Sequence, residues 1–387
     1  MTARDAVAPA EGTPELSLLG GPLHRLARWL GRESDFAGHA RLGAALAIFA
    51  WLPLMLLALL AEGAMPTIGA HVRFLLAIPL LLVSEARIDP QFKALARQLV
   101  QSGIVTPAAL PGLVVTIRRV SRLRDSVIAE AVLLVVSLSL LRLQVGGAVT
   151  SWTTAAGGQG GVHLTPAGIW YLGVSLTVFR FLFLRWCWRT GIWWWFNWRL
   201  SRLELRLIPA HPDRMGGLGY LESVQSFFAA DLFAYSAVIS ASFAEQIRFD
   251  GTTLDALRVP VAGVLALFAF LMFAPLFFFV PKLQAVRLRG LREYGQLAQE
   301  YVSAFHAKWI RRDEAPGEGL LGTPDLSGLS DLGSSVKVVQ EMRVVPFGRT
   351  LVRPVAAASL IPMAPLLLTK FPLDVLLTKI LRMIAGA

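Results

Sequence analysis

Apolar runs of bilayer length alternate with short polar stretches along this chain. A hydrocarbon core about 30 Å thick takes ~20 residues of helix to cross. Six runs meet or approach that length, at 42–61, 71–84, 127–145, 168–185, 227–247 and 261–280. The second is short and needs flanking residues, tilt or local thinning of the bilayer. A seventh apolar run, 355–369, holds Pro362 and Pro365. It either crosses with a kink or re-enters on the side it came from. The pattern predicts an all-α protein, a polytopic transmembrane helical bundle of six or seven spans with a cytoplasmic helix-and-loop layer. Residues 1–41 form an N-terminal segment and 42–280 the bundle, with loops at 85–126 and 189–221. Residues 281–350 form a cytoplasmic helix and loop, and 351–387 a C-terminal membrane segment with an amphipathic helix.

Composition agrees. Hydrophobic residues make up 55% of the chain and charged residues 16%. A soluble domain of this length cannot bury that much apolar surface, so a bilayer must cover it. The first thirty residues hold Asp5, Glu11 and Glu15 and no sustained apolar run. That excludes a secretory signal and leaves the first span as its own insertion signal. The net charge is +11, but the basic residues flank the apolar runs. They set topology and touch anionic lipid rather than nucleic acid. The lone Cys187 excludes an intrachain disulfide framework.

The distribution of Lys and Arg sets an orientation. Arg87, Lys93, Arg97, Arg118, Arg119, Arg122 and Arg124 lie between the second and third runs. Arg189, Arg199, Arg202, Arg206 and Arg214 follow the fourth, and Lys282, Arg287, Arg289 and Arg292 the sixth. The loop 146–167 carries no charged residue. A multi-pass protein with a cytoplasmic N-terminus follows. A seventh span then puts Lys370, Lys379 and Arg382 outside, against the rule. The tail 371–384 has apolar residues at helical spacing and reads as a helix lying on the membrane or against a sister helix.

Trp186, Trp188, Trp193, Trp194, Trp195 and Trp198 mark an aromatic belt at the cytoplasmic end of the fourth span. Arg199, Arg202 and Arg206 follow at steps of three and four, on one helical face suited to anionic headgroups or to solvent. Further on, Leu291, Tyr294, Ala298, Tyr301, Phe305 and Trp309 form a helical stripe that must be buried, within the chain or in a homo-oligomer. Residues 314–334, rich in Gly, Pro, Ser and Asp, read as a loop followed by a short pattern at 336–345.

The candidate chemistry is concentrated in His211-Pro-Asp213-Arg214-Met-Gly216-Gly217-Leu-Gly219. Successive amides of Gly216, Gly217 and Gly219 at a helix start suit a phosphate, headgroup or carboxylate, with Arg214 adding charge. The alternative is a tight turn into the fifth span, with Asp213 capping it locally. His211 and Asp213 are too few ligands for a metal, and no cofactor or metal is expected. Within the spans, Glu130 and Asp231 are costly charges. They are either structural pairs with Arg180 or Arg185, or a cation or proton site. No nucleophile elbow, phosphate-binding loop or zinc motif is present.

The run from His211 to Leu221 resembles the signature of a family of uncharacterised bacterial integral membrane proteins. So do Leu320-Leu-Gly-Thr-Pro-Asp-Leu-Ser-Gly-Leu-Ser-Asp-Leu332 and Val338-Val-Gln-Glu-Met-Arg-Val-Val-Pro-Phe347. The resemblance covers the chain from about Trp170 to the end. It implies a bacterial inner-membrane protein, carries no catalytic residue, and suggests that 208–221 pairs with 320–347. Three functions stand open. The first is a channel or transporter for a small solute or ion. The second is an anionic-lipid-binding or scaffold protein. The third is an enzyme acting on a lipid headgroup or polyprenyl phosphate through His211, Asp213 and Arg214.

Overall fold

The structure, a computed structural model, describes residues 15–22, 25, 36–60, 66–145, 153–156, 162–311 and 324–369. The expected tail helix at 371–384 lies outside the described residues, as does most of the loop 146–167. The described residues form ten helices. They are α1 Phe36–Leu60, α2 Ile68–Gln101, α3 Leu110–Arg124, α4 Val127–Val145, α5 Pro166–Arg202, α6 Gly219–Phe249, α7 Arg258–Phe277, α8 Val280–Phe305, α9 Pro324–Gln340 and α10 Arg349–Thr369. A short antiparallel ribbon, β1 Thr154–Ala156 with β2 Val162–Leu164, precedes α5. Six helices, α1, α2, α5, α6, α7 and α10, are long and apolar enough to cross a membrane. Helix α4, with 19 residues, is about 28 Å long and matches the third apolar run. The chain is a multi-pass membrane protein.

Helix α1 sorts small residues from large ones. On α1, Gly43, Ala47, Ala50, Leu54 and Ala58 recur at three- and four-residue steps and face the bundle. Ile48, Phe49, Leu52, Leu56 and Leu59 are exposed and face lipid. The small face lets α1 press against α2: a Cβ on Gly43 would lie 2.9 Å from the Pro79 Cα. Buried serines join helices through backbone oxygens. Ser175 Oγ donates to the Ala50 carbonyl at 2.6 Å, Ser137 Oγ to Thr177 at 2.9 Å and Ser236 Oγ to Ser359 at 2.7 Å. With no water inside the bilayer, such bonds are how a hydroxyl is satisfied there.

The short second run is part of a longer helix that continues through polar residues. Helix α2 has 34 residues and continues through Ser84, Glu85 and Asp89, all buried against neighbouring helices. Helix α5, with 37 residues, likewise runs on past the apolar stretch. The seventh run is one unbroken helical segment, α-helical over Arg349–Leu360 and 3-10 over Ile361–Thr369. Its rise sums to about 36 Å, enough to cross, and it packs along α6. Prolines 354 and 365 lie within it, and the tighter 3-10 winding falls on the Pro362/Pro365 stretch.

The polar layer is built from the long ends of α2 and α5, from α3, and from α8 and α9. The stripe on α8 is half-buried, and its partner is α9, packed as a hairpin. Tyr301 Oη donates to the Asp325 carbonyl at 3.0 Å, while Asp325 Oδ2 accepts from Lys308 Nζ at 2.8 Å and Trp309 Nε1 at 3.0 Å. These bonds hold the Asp325 carboxyl below the usual carboxylate range. The loop expected over 314–334 is therefore corrected: α9 begins at Pro324. Its Leu326, Leu329, Leu332, Val336 and Val339 recur at helical steps that the Gly and Ser content masked.

In the N-terminal segment, Leu16 and Leu18 are buried in the hydrophobic core. Ser17 bonds the Asp89 carboxylate, Arg124 Nη1 donates to the Ser17 carbonyl at 3.0 Å, and Gly21 N donates to Asp125 Oδ1 at 2.9 Å.

Candidate functional site

The glycine-rich turn is built around one carboxylate. Asp213 Oδ1 accepts from the amides of Met215 at 2.8 Å and Gly217 at 3.1 Å, and Oδ2 from the amide of Gly219 at 2.8 Å. Nδ1 of His211 lies 2.7 Å from Oδ1. The chain reverses tightly here, with φ of +59° at Arg214, +66° at Gly216 and +100° at Gly217. Glycine avoids the steric cost of those angles. At Gly217 it also avoids a clash, since a Cβ would lie 2.9 Å from Ile104 Cδ1. Burial pushes the Asp213 carboxyl upward, but the amides of Met215, Gly219 and Gly217 outweigh it and hold it below the usual range. Three amides that could cradle an anion are taken up by the chain's own carboxylate.

The turn also docks the second motif. The Arg343 amide donates to the Arg214 carbonyl at 2.7 Å, and Arg214 Nη2 lies 3.0 Å from Glu341 Oε2. Phe347 packs on Phe273 and Phe277 of α7 at 4.6 and 5.8 Å between ring centroids. Buried Glu222 Oε1 accepts from the amides of Gly348 at 2.7 Å and Leu351 at 3.0 Å, so it caps the start of α10. The stretches 208–221 and 338–347 thus hold the last spanning helix against α6.

Deeper in the bundle, charges from three helices meet. Glu85 Oε1 on α2 accepts from Arg185 Nη1 and Arg189 Nη1 of α5, both at 2.8 Å. Arg185 Nε reaches Glu130 Oε1 of α4 at 3.3 Å, and its Nη2 donates to the Gly20 carbonyl at 3.0 Å. Two guanidiniums face two carboxylates, with His39 also near Glu85. The group is internally balanced, which is what lets charges persist inside a membrane protein.

Asp231 on α6 differs. It is 3% exposed. One oxygen, Oδ1, is bound by the Ser84 hydroxyl, and Oδ2 has no hydrogen-bond partner among the described residues. The buried Tyr235 hydroxyl one turn on has none either. Both residues line a cavity of about 330 Å³ between α5, α6 and α7. The rest of its wall is Cys187, Thr190, Gly191, Trp194, Phe228, Leu232, Phe270, Leu271 and Met272, so it is apolar apart from that one edge. All three helices are candidate spans, and the cavity lies on α5 among the residues of its tryptophan cluster. It opens on the outside of the bundle, where Cys187, Gly191 and Phe270 are exposed.

The sequence candidates therefore separate. His211, Asp213, Arg214, Gly216, Gly217 and Gly219 come together in the turn. Glu130 joins the balanced network with Arg185, and Asp231 stands apart from it at the cavity. Arg199 and Arg202 sit over Trp198, their guanidinium carbons 5.9 and 5.8 Å from its ring centroid. Arg206 is not on their helical face: α5 ends at Arg202, and the Arg206 amide donates instead to the Ile104 carbonyl at 2.7 Å. Of the tryptophan belt, Trp186 and Trp193 are core residues. Trp193 packs on Phe92, Phe196 and Phe228 and donates to Gln225 Oε1 at 2.5 Å. Glu85, Tyr235 and Ser84 escaped the sequence reading. Glu85 lay one residue beyond an apolar run, and its helical spacing to Asp89 was the available signal. No family model matches the chain, and neither a curated protein nor a solved structure matches it.

Proposed function

We propose that this protein is a transporter of the bacterial inner membrane, its N-terminus cytoplasmic, that carries a small lipophilic solute through the cavity at Asp231. The observation behind this reading is the contrast between that cavity and everything around it. A buried carboxylate oxygen and a buried phenol with no partner each forfeit a hydrogen bond they would make in water. A ligand that enters from the bilayer and reaches both would restore it. The apolar wall and the opening at Cys187 and Gly191 suit an entrant that partitions into lipid first. The basic loops favour the stated orientation.

The test uses Gly191, where an added Cβ meets nothing within 4 Å. Gly191→Leu places a side chain at the mouth of the cavity. Native mass spectrometry of protein extracted with its own lipids should show a small-molecule adduct on the parent and lose it in the variant. In proteoliposomes the parent alone should exchange that molecule across the membrane. The same adduct on both proteins would remove the cavity as the site.

A further inference from the structure

We infer that the solute is a lipophilic cation, an amine of roughly drug size with aromatic or branched apolar substituents. The inference rests on the transporter reading and names its substrate class. The charges near Asp231 are Glu85 and Arg189, and they are bound to each other at 2.8 Å. Arg185 is shared between Glu85 and Glu130. Asp231 is thus one carboxylate beyond the balanced set, on the flank of the network that faces the empty volume. Its Oδ1 is bonded to the Ser84 hydroxyl, which also reaches the Leu81 carbonyl. Its Oδ2 and the Tyr235 hydroxyl are buried polar atoms without a partner on two of the residues that line the cavity.

The remaining wall fits the same ligand. Trp194, Phe228 and Phe270 line the volume together with Tyr235. Trp194 and Phe270 meet edge to face with centroids 5.4 Å apart. Aromatic faces attract an ammonium group, the more so where water is excluded. Met272 and Leu271 supply adaptable apolar surface. Among the described residues no basic side chain lines the cavity, so an anionic headgroup would meet Asp231 with only Arg189, already bound to Glu85, to offset the repulsion. A cavity of about 330 Å³ lies at the small end of the usual range for ligand sites.

The probe is tritiated imipramine, a lipophilic tertiary amine, bound to the full chain in nanodiscs. It should saturate, and it should be displaced by 4-phenylbutylamine and not by the isosteric neutral alcohol 4-phenylbutanol. Asp231→Asn keeps the shape and the bond to Ser84 and removes the charge, so imipramine affinity should fall about tenfold or more. Tyr235→Phe should weaken it less, and it serves if the Asn variant does not fold. Gly191→Leu should abolish binding. Displacement by amine and alcohol alike, or unchanged affinity in folded Asp231→Asn, would overturn the cation and leave the cavity a site for neutral lipophiles. Absence of imipramine binding while the adduct sensitive to Gly191→Leu persists would also exclude the cation. Loss of both signals would take the transporter reading with it.

Discussion

Asp213 lies just before α6 and Asp231 within it, the first a candidate binding residue of the sequence and the second a candidate intramembrane charge. Asp213 sits in a turn whose own backbone supplies three amides. Asp231 sits in a membrane span, where a single serine hydroxyl reaches it and one oxygen has no partner. A carboxylate whose lone pairs are claimed by its own backbone is a folding element. A carboxylate with an open flank on a cavity is available to something else. Residue type and local motif favoured Asp213. The accounting of hydrogen bonds favours Asp231.

The largest expected effect comes from a third kind of carboxylate, one cancelled by countercharge. Glu85→Ala strips Arg185 and Arg189 of their shared partner. Removing one member of a buried charged group leaves the others uncompensated, at about 3–5 kcal/mol. Thermal unfolding in nanodiscs should show a large drop; a change under about 1 kcal/mol would mean that the network does not hold α2, α4 and α5 together.

Asp213→Ala comes next. It leaves three amides of the turn without an acceptor, at about 2 kcal/mol, and loosens the seat of the 341–348 segment. The pH dependence has a definite sign. The folded carboxyl lies below its ordinary value, so its contribution is complete above the unfolded pKa of about 4. As pH falls below that value and through the lowered folded one, the unfolded chain binds the proton first and the contribution is lost. Hydrogen-exchange protection of Met215, Gly217 and Gly219 should therefore decline only in that acid window, and not at all in the alanine variant's residual structure. Protection that declines near neutrality would mean that the Asp213 carboxylate does not hold the turn.

The spans were legible because bilayer length and composition impose a signal that no tertiary contact overrides. The runs at 127–145 and 261–280 correspond closely to α4 and α7. The docking of 208–221 on 338–347 was legible as a pairing of motifs, and its chemistry was not. Which acceptor the glycine amides face depends on the left-handed turn at Arg214, a backbone angle that sequence does not display. The network was hidden for another reason. Glu85 and Arg185 are far apart in the chain, and their contact exists only once α2 and α5 pack. The cavity was the least legible feature, since Cys187, Thr190, Gly191 and Trp194 on one helix read as an interfacial cluster until α7 is placed beside them.

Asp231→Asn should change stability by no more than about 1 kcal/mol. It removes a buried carboxylate whose neighbouring cation, Arg189, is already bound to Glu85, and it keeps the serine bond. Paired with weakened imipramine binding, a level melting temperature would sharpen the contrast with Asp213. A fall as large as that of Glu85→Ala would erase it, because Asp231 would then be bearing structure.

The smallest effect belongs to Arg214, and it is the one that could break the comparison from the other side. Its φ of +59° costs a non-glycine residue about 1–2 kcal/mol, so Arg214→Gly relieves strain. Two losses oppose the relief. A new glycine adds freedom to the unfolded chain, at about 0.5–1 kcal/mol. The pair with Glu341, half exposed on the arginine side, contributes between zero and about 1 kcal/mol. The sum lies near zero, and Glu341→Gln measured beside it separates the pair from the backbone. If Arg214→Gly instead destabilised the protein by more than about 2 kcal/mol while Glu341→Gln did nothing, the guanidinium would be holding an anion at the turn. Asp213 and Asp231 would then both border ligand sites, and the division between a filled carboxylate and an open one would no longer sort function from folding in this molecule.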